Sequence, residues 1–536
     1  MILSFLRKKF FHKNYISLKG YKKIIKNHDI YLIDEIKKKI LNTKLISNKK
    51  NLNFFFFIKD INFDFDLIYR QYIYSILVYY GLNRNIICSL NKKKTFFILP
   101  DPWLGILRDH NINFNYFKSK LMWFVFALKK FAAAQVYFFK IVLLFLFDKK
   151  KVNYDSFYFV DLPKINLTSD SKDENNYLNF FLNELQNDNG LIKNIYHNNN
   201  SYNNKITYNF INILKIKNFN KIFLFLDLIK FFLFYLYCSF VALILLPFRQ
   251  EFSILLKEVF EAFIFHLNKK NYSKIFVFNN SMGIYRPIWT YVKKKQNFKC
   301  FFTFDSMFCK PFNHDDDKLK KFNLYFAANY TGYECLNWEK FYFWNKYQKE
   351  FYEKRLINKN YEYKILKPIN VGGLNYNHKK DKKTKIAFFD IPPFSLNYSL
   401  DRHPPLFYTL NNLKNIFEDI VNISKKYNFD IIYKFKRYVP DQHDKKYLYW
   451  IENFIKKQPN ITFVDNTTSV SSMLSGIDLV IAMPFTAAAV IAKDLNIDCI
   501  YYDNSDVEYD GTLAYDEILI IKNKDDLEKW IKQKIQ

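Results

Sequence analysis

Three cations directly follow a predicted buried strand, which suits them to phosphate binding. The run FDIIY ends at Tyr433, and Lys434, Lys436 and Arg437 come next. Lys434 and Lys436 share a face of an extended chain, and an arginine fork binds two oxygens of a diphosphate together. Their chemistry would be to stabilise a departing nucleotide phosphate. Solvated lysines without a ligand are the alternative interpretation.

A second candidate phosphate site is the turn of Pro484, Phe485 and Thr486. It follows the apolar run from Leu479 to Ala482 and precedes apolar residues at 488, 491, 492 and 495. That spacing predicts a helix with Thr486 as its N-cap. Free N–H groups and the positive end of the helix dipole would lie beside Thr486, where a phosphate can bind. An ordinary strand-to-helix turn is the alternative.

Four further polar residues lie near the ends of predicted elements. Ser471 and Ser472 precede a short helix that ends at Gly476, so their hydroxyls either cap it or bind phosphate. His403 lies in the loop sequence DRHPP, where it is a phosphate ligand, a base or incidental. Asp503 ends the strand after the predicted helix and is a further candidate.

Two aspartates are candidates for a general base. Sugar transfer with inversion requires a group that takes the proton of the acceptor hydroxyl. Asp305 ends the predicted strand from Lys299 to Phe304, and Asp101 lies in the loop sequence LPDPW. The sequence identifies no partner for either carboxylate.

The elements that would position these residues alternate between strand and helix. The stretch from Gly476 to Asp503 reads as strand, turn, helix and strand, which predicts a parallel sheet. Strands at 385–390, 430–435 and 461–464, with helices at about 405–427 and 445–456, complete a doubly wound carboxyl-terminal domain. Ligands of such a sheet bind outside the carboxyl ends of its strands.

The amino-terminal half is predicted to be a second α/β domain. Its predicted strands are at 53–58, 95–99, 157–160, 274–278 and 299–304, and the polar patch at 169–204 is predicted to be a loop. We expect a domain over 1–376 on the acceptor side, with apolar helical segments at about 118–146 and 205–268, and a nucleotide-sugar-binding domain over 385–536. The fold class is α/β, with two Rossmann-like doubly wound domains facing a cleft and a helical hairpin inserted in the first.

Two apolar stretches point to a membrane. Residues 231–248 carry no charge, and residues 118–146 are similar but interrupted by Lys129, Lys130 and Lys140. Basic and aromatic residues flank both, as in segments that dock on an anionic membrane surface. A buried core helix and a true span are the alternatives.

The formal net charge of +30 has two interpretations. The lysines are spread along the whole chain, so they are either default solvated residues or a functional basic field. No recognition helix, RNA-binding signature or zinc-finger spacing favours nucleic acid. The six cysteines have no metal-site spacing, so we expect no metal and no cofactor. The first residues lack the apolar core of a secretory signal, which favours the cytoplasm.

The sequence also resembles a known family. The string MPFTAAAVIAKDLNIDCIYYD is similar to the signature of bacterial polysaccharide-biosynthesis proteins named for a Pro-Phe-Thr-Ser motif, with Ala487 in place of the serine. YRPIW at 285–289, FDIPP at 389–393 and YKFKR at 433–437 resemble that family in order and spacing. The likeness extends from about residue 274 to the carboxyl terminus.

The resemblance implies a glycosyltransferase-like protein of the two-domain GT-B architecture, acting in the biosynthesis of a surface polysaccharide such as capsule or O-antigen. We expect a metal-independent enzyme that transfers a sugar from a nucleotide-sugar donor to a glycan or lipid-linked acceptor, peripheral on the inner face of the cytoplasmic membrane. One alternative is a phosphotransferase on the same fold that uses a CDP-polyol or CDP-glycerol. Another is a non-catalytic scaffold of a glycan-assembly complex, docked on the membrane.

Overall fold

The protein is described by a computed structural model of the 536-residue chain. The described residues are 29–46, 64–90, 95–147, 156–160, 194–197, 221–267, 275–279, 285–291, 299–304, 335–356, 358–366, 383–395, 408–434, 443–464, 468, 470–505, 513–514 and 516–535. They form two six-stranded sheets in which every pairing of strands is parallel, with helices between the strands. The predicted fold class, α/β of GT-B type with two doubly wound units, is confirmed.

The first sheet has the strand order β2-β1-β3-β4-β5-β6. From β1 the chain goes to β2 on one side, and from β2 it crosses back to β3 on the other side of β1. The strand order therefore reverses between β1 and β3. The strands are β1 Ser156–Val160, β2 Asn194–His197, β3 Ile275–Asn279, β4 Lys299–Thr303, β5 Lys340–Phe343 and β6 Glu362–Ile365.

Helices precede and interrupt this sheet. The predicted helical hairpin is confirmed as α6 and α7, between β2 and β3. A π-helical turn, Tyr74–Val78, joins α2 to α3, and a 3-10 helix, Ile288–Tyr291, follows β3. The helices are α1 Asp29–Asn42, α2 Phe65–Ile73, α3 Tyr79–Leu90, α4 Asp101–Asp109, α5 Tyr116–Phe147, α6 Lys221–Leu245, α7 Gln250–Leu267 and α8 Lys346–Arg355.

Helices α5 and α6 turn much of their apolar surface outward. Both are long and apolar enough to cross a membrane, yet only 28% and 22% of their most apolar windows are buried. Most residues of these windows are therefore exposed, unlike those of a buried core helix. Helix α7, in contrast, is buried along nearly its whole length between them and the rest of the domain.

The second sheet has the strand order β12-β11-β10-β7-β8-β9. From β7 the chain moves outward through β8 and β9, then returns to the other side of β7 as β10. The strands are β7 Lys385–Phe389, β8 Asp430–Lys434, β9 Ile461–Phe463, β10 Leu479–Ala482, β11 Asp498–Tyr502 and β12 Leu519–Ile521. The helices are α9 Leu410–Tyr427, α10 Lys445–Ile455, α11 Val470–Met473, α12 Ala487–Asp494 and α13 Lys524–Ile535.

The central strands of this sheet are buried on both faces, as their continuous apolar runs predict. Every residue of β10 is buried. Ile386 and Phe388 pack in one cluster with Phe417 of α9, whereas Ala387 and Phe389 pack in another with Ala489 of α12. Small alanines on α12 let that helix lie close to the sheet.

Three predicted elements differ from the structure. Residues 95–100 form no strand. The Phe97 N–H donates to Ser119 Oγ and the Asn115 N–H donates to the Thr95 carbonyl, so these groups bond to the start of α5 and the residue before it. The polar patch predicted as a loop contains β2, a four-residue edge strand paired only with β1 and too short to have a clear sequence signal. Ser471 and Ser472 lie within α11 rather than before it.

Two predictions lie outside the described residues. The strand predicted at 53–58 is one. The boundary between the predicted domains falls largely in 367–382, so the domain limits stay a prediction.

Candidate functional site

The second sheet reverses its strand order between β7 and β10, and this is where open α/β sheets bind their ligands. Asp390 follows β7, and the turn from Met483 to Thr486 follows β10. The N–H of Met483 donates a 2.9 Å hydrogen bond to the carbonyl of Phe389, so the two strands stay paired to their ends. The turn and Asp390 therefore lie side by side at one sheet edge.

The turn after β10 is held in a strained backbone conformation. Phe485 has a φ of 63°, in the left-handed region, which costs a side-chain-bearing residue about 1 to 2 kcal/mol. The hydroxyl of Tyr408 donates a 2.8 Å hydrogen bond to the carbonyl of Pro484. The Phe485 ring lies 5.5 Å from the ring of Tyr501. Strain that neighbouring residues maintain is typical of ligand-binding sites.

Thr486 occupies the N-cap position that the sequence predicts, but its side chain makes no capping bond. Thr486 as a whole is only 5% exposed. The Oγ1 atom has no hydrogen-bond partner among the described residues. A buried hydroxyl without a partner costs about 1 to 3 kcal/mol. The arrangement therefore has a polar atom available for a ligand.

The helix that begins after Thr486 adds further donors. The first N–H groups of an α-helix have no partner within the helix, and they carry the positive end of its dipole. In α12 the side chain of the N-cap residue, Thr486, does not cap them. The hydroxyl of Thr486 and these N–H groups together make an arrangement suited to a phosphate.

Asp390 was not predicted as a site residue. It is 2% exposed, and its Oδ2 accepts hydrogen bonds from the hydroxyls of Tyr433, at 2.8 Å, and Tyr447. The two hydroxyls are 2.8 Å apart. Burial, with the charge of Asp390 adding to it, raises the pKa of both tyrosines well above the usual value, so they remain donors. The available signal was a carboxylate directly after a buried strand, in FDIPP.

Lys434 is the last residue of β8 and is buried. It pairs in register with Phe389, which in turn pairs with Ala482. Residues in register on parallel strands point to the same face, and Ala482 packs with the α12 face of the sheet. Lys434 thus lies on the Thr486 side, one strand beyond β7. The predicted ligands Lys436 and Arg437 lie outside the described residues.

Asp503 directly follows β11 and is completely buried. Its Oδ1 accepts from Asn412 Nδ2 at 3.2 Å and from the Ser505 N–H at 3.0 Å. Its Oδ2 accepts from Ser505 Oγ and Lys522 Nζ, both at 2.9 Å. These four donors engage both oxygens, so the carboxylate holds the end of β11 to α9 and to Lys522.

Asp101 is the first residue of α4 and is exposed. Its carboxylate accepts a hydrogen bond from the Tyr116 hydroxyl and lies 3.0 Å from Lys120 Nζ. Partial burial raises the pKa of Asp101, but the bonds to Tyr116 and Lys120 outweigh it and hold the pKa below the usual aspartate value.

The remaining predicted site residues cannot be placed in this arrangement. Asp305 and His403 lie outside the described residues. Ser471 and Ser472 lie in α11, which precedes β10. Across the described ranges, no three His, Cys, Asp or Glu side chains are grouped as metal ligands would be.

The sequence of this whole region matches a family model. The model is that of the polysaccharide biosynthesis PFTS motif proteins, and it matches residues 238–531, more than half of the chain. The chain belongs to this family. The resemblance predicted from the sequence is thereby confirmed. Because Ala487 stands where the motif has serine, Thr486 carries the only hydroxyl of the PFTS motif in this family member.

Several solved structures are similar to this chain at low sequence identity. The UDP-GlcNAc 2-epimerase of Methanocaldococcus jannaschii is 12% identical over 71% of this chain and 92% of its own, with a TM-score of 0.35. The wall teichoic acid polymerase TagF is 11% identical over 76% and 89%, with a TM-score of 0.37. The lipopolysaccharide outer core galactosyltransferase WaaB is 9% identical over 71% and 90%, with a TM-score of 0.36. No curated protein sequence matches the chain.

Proposed function

We propose that this PFTS family protein is a glycosyltransferase of surface polysaccharide biosynthesis that binds a nucleotide-sugar donor at the turn before α12. The observation that carries the proposal is the buried hydroxyl of Thr486. This hydroxyl has no hydrogen-bond partner among the described residues. It lies at a helix N-terminus and at the switch point of a doubly wound sheet. Family membership supports the polysaccharide context.

The donor's diphosphate is the group that fits these atoms. In the reaction, the acceptor oxygen attacks the anomeric carbon, the bond from that carbon to the phosphate oxygen breaks, and negative charge develops on the departing diphosphate. Thr486 Oγ1 and the first N–H groups of α12 would donate hydrogen bonds to it. Lys434 lies on the same side of the sheet, and Lys436 and Arg437 follow it in sequence. Together they would supply the compensating positive charge.

The proposed reaction needs no metal, because a helix N-terminus and cations take over the stabilisation that a divalent ion gives elsewhere. The test is activity in the presence of EDTA. We expect the transfer rate to stay unchanged, and a rate that EDTA abolishes and magnesium restores would contradict metal independence.

The acceptor would be a glycan or a lipid-linked glycan, and its proton would pass to a base in the amino-terminal half. Asp305 and Asp101 are the proposed bases. The hydrogen bond from Tyr116 and the ion pair with Lys120 lower the pKa of Asp101, which weakens it as a base. Asp305 is therefore the first residue to substitute. We place the protein on the cytoplasmic side, where nucleotide-activated donors are made.

A thermal-shift screen with UDP, GDP, CMP and CDP tests the donor proposal. A ligand at about 100 times its Kd stabilises the folded state by about 2.7 kcal/mol, so one nucleotide should raise the melting temperature clearly. The Thr486→Val protein is the matched control and should respond less to the same nucleotide. A response to CMP or CDP alone would favour transfer of a polyol phosphate. No response to any nucleotide would contradict the proposal and favour the scaffold.

A further inference from the structure

We infer that the outward faces of α5 and α6 form a docking face that lies flat in the interface of an anionic lipid bilayer. The inference does not rest on the donor site or on any transfer activity. A lipid surface is the proposed occupant of this face. Its exposed apolar side chains include Leu121, Val136 and Phe139 of α5 and Phe232, Leu236 and Phe240 of α6.

The exposed residues of α5 form one continuous stripe. Leu121, Leu128, Val136, Phe139 and Leu143 are each about half exposed or more, and their spacing of three, four, seven or eight residues keeps them on one side of a helix. The spacing normally marks the buried side of a helix. Here it marks the exposed side, so the stripe is built for an apolar environment outside the protein.

Helix α6 places a second stripe beside the first. The rings of Phe138 and Tyr235 stack at 3.6 Å, and Ser239 Oγ donates to Gln135 Oε1 at 3.3 Å. The residue number rises on one helix as it falls on the other, so the two helices are antiparallel neighbours. The two stripes therefore adjoin and form a surface about 30 Å long, from the rise of about 1.5 Å per residue. Monomeric soluble proteins rarely expose so large an apolar patch.

The inward side of the same helices argues against a transmembrane span. Lys130 Nζ of α5 donates to the Tyr72 hydroxyl at 3.0 Å. Behind it, on α7, Glu258 accepts from the Tyr285 hydroxyl at 2.6 Å, and Lys257 pairs with Glu261 at 2.9 Å. A span would carry these charged groups and the packed α/β domain into hydrocarbon, where such groups are costly. When the two helices lie flat in the interface, only their apolar stripes enter the hydrocarbon.

The charges at the edge of the face fit an anionic surface. Helix α5 contains five lysines and no Asp or Glu. Lys118, Lys129 and Lys140 are spaced by eleven residues, close to three helical turns, and so form a row along one margin of the stripe. Basic rows beside an apolar stripe are typical of helices that lie on anionic lipids. Binding in an apolar groove of a partner protein would not require this row of lysines.

The test measures the depth of single positions in vesicles of phosphatidylcholine and phosphatidylglycerol. Leu121, Val136 and Leu143 of α5 and Leu226 and Leu243 of α6 are each replaced by Cys in the full chain and carry a nitroxide label, with the parent protein giving the background from its own cysteines. We expect similar shallow depths at all five positions. Depths that change steadily by about 1.5 Å per residue would indicate a span and overturn the inference.

A matched pair of variants keeps the test independent of folding. Val136→Glu with Phe139→Glu places two charges in the docking face, whereas Tyr449→Glu places one at a 77% exposed position of α10 in the other half. The first protein should float with these vesicles at least about tenfold less than the parent, since two buried apolar contacts are lost. The second should float normally. Equal flotation of all three, or no parent binding in low salt, would overturn the docking face. Nucleotide binding should persist in both variants, so the donor site is tested separately.

Discussion

The hydroxyl of Tyr408 donates a 2.8 Å hydrogen bond to the carbonyl of Pro484, one residue before the strained Phe485. Tyr408 directly precedes Thr409, the N-cap of α9, so the bond ties the start of that helix to the turn before α12. Burial, with the charge of Asp503 adding to it, raises the pKa of Tyr408 above the usual tyrosine value. The hydroxyl therefore stays a donor at any physiological pH and holds the turn in place.

Tyr408→Phe removes that bond and leaves the ring. We expect a loss of about 1 kcal/mol in the free energy of unfolding, the net value of an ordinary hydrogen bond. Nucleotide affinity should fall as well, because the turn is then free to relax. Denaturant unfolding and calorimetric titration measure the two effects. Tyr449→Phe, at an exposed position, is the control. A Tyr408→Phe protein with parental stability and affinity would mean that the bond does not support the turn.

Thr486→Val keeps the shape of the side chain and removes its hydroxyl. Because the hydroxyl makes no bond to the described protein atoms, the melting temperature should change little or rise. Nucleotide affinity should fall about 10- to 100-fold, the value of one hydrogen bond to a charged group. Thr486→Ser should retain most of the affinity. A protein that loses stability but binds nucleotide normally would assign Thr486 to structure.

Two substitutions of Phe485 measure the backbone strain directly. Phe485→Ala and Phe485→Gly both lose the ring that lies against Tyr501, but only glycine adopts a φ of 63° without cost. The glycine variant should be more stable than the alanine variant by about 1 kcal/mol. Comparison of their denaturant midpoints checks this. An alanine variant as stable as the glycine variant would show that the turn carries no strain.

The carboxylate of Glu261 should make stability depend on pH. Burial raises the pKa of Glu261 from 4.5 to about 7, against the opposing charge of Lys257. The folded state then holds the proton more tightly than the unfolded state. The resulting stability is fully present below about pH 4.5 and is lost as pH rises through about 7.

Glu261→Gln mimics the protonated form. The parent should therefore lose stability relative to this variant between about pH 5 and 7, by an amount on the order of 1 to 3 kcal/mol. Chemical denaturation at several pH values measures the difference, with exposed Glu362→Gln as the control. If the difference in free energy of unfolding between the parent and this variant stayed constant across this range, Glu261 would not titrate there.

The βαβ unit around Thr486 was predictable because its signals are local. The apolar run of β10, Pro484 and the alanine-rich helix follow one another in the sequence, and the structure has β10, α12 and β11 in that order. Backbone strain at Phe485 and the missing capping bond of Thr486 were not predictable. The carbonyls of Pro484 and Thr486 in this turn accept hydrogen bonds from Tyr408 and Tyr501, which are distant in sequence.

Contacts between distant strands explain the other differences. Asp390 meets Tyr433 and Tyr447 only after β7 and β8 pair and α10 packs on them. The sequence shows that these residues are polar or aromatic, but it does not show that they are neighbours in the fold. Likewise, the sequence marks α5 as a long apolar segment, but only its packing on α7 decides which of its side chains face outward.

The most direct test of the donor site is a crystal structure of the protein with the nucleotide that stabilises it most. We expect a diphosphate oxygen within about 2.7 to 3.2 Å of Thr486 Oγ1 and of an N–H in the first turn of α12. A nucleotide whose phosphates lie elsewhere, with the Thr486 hydroxyl still unpaired, would contradict it.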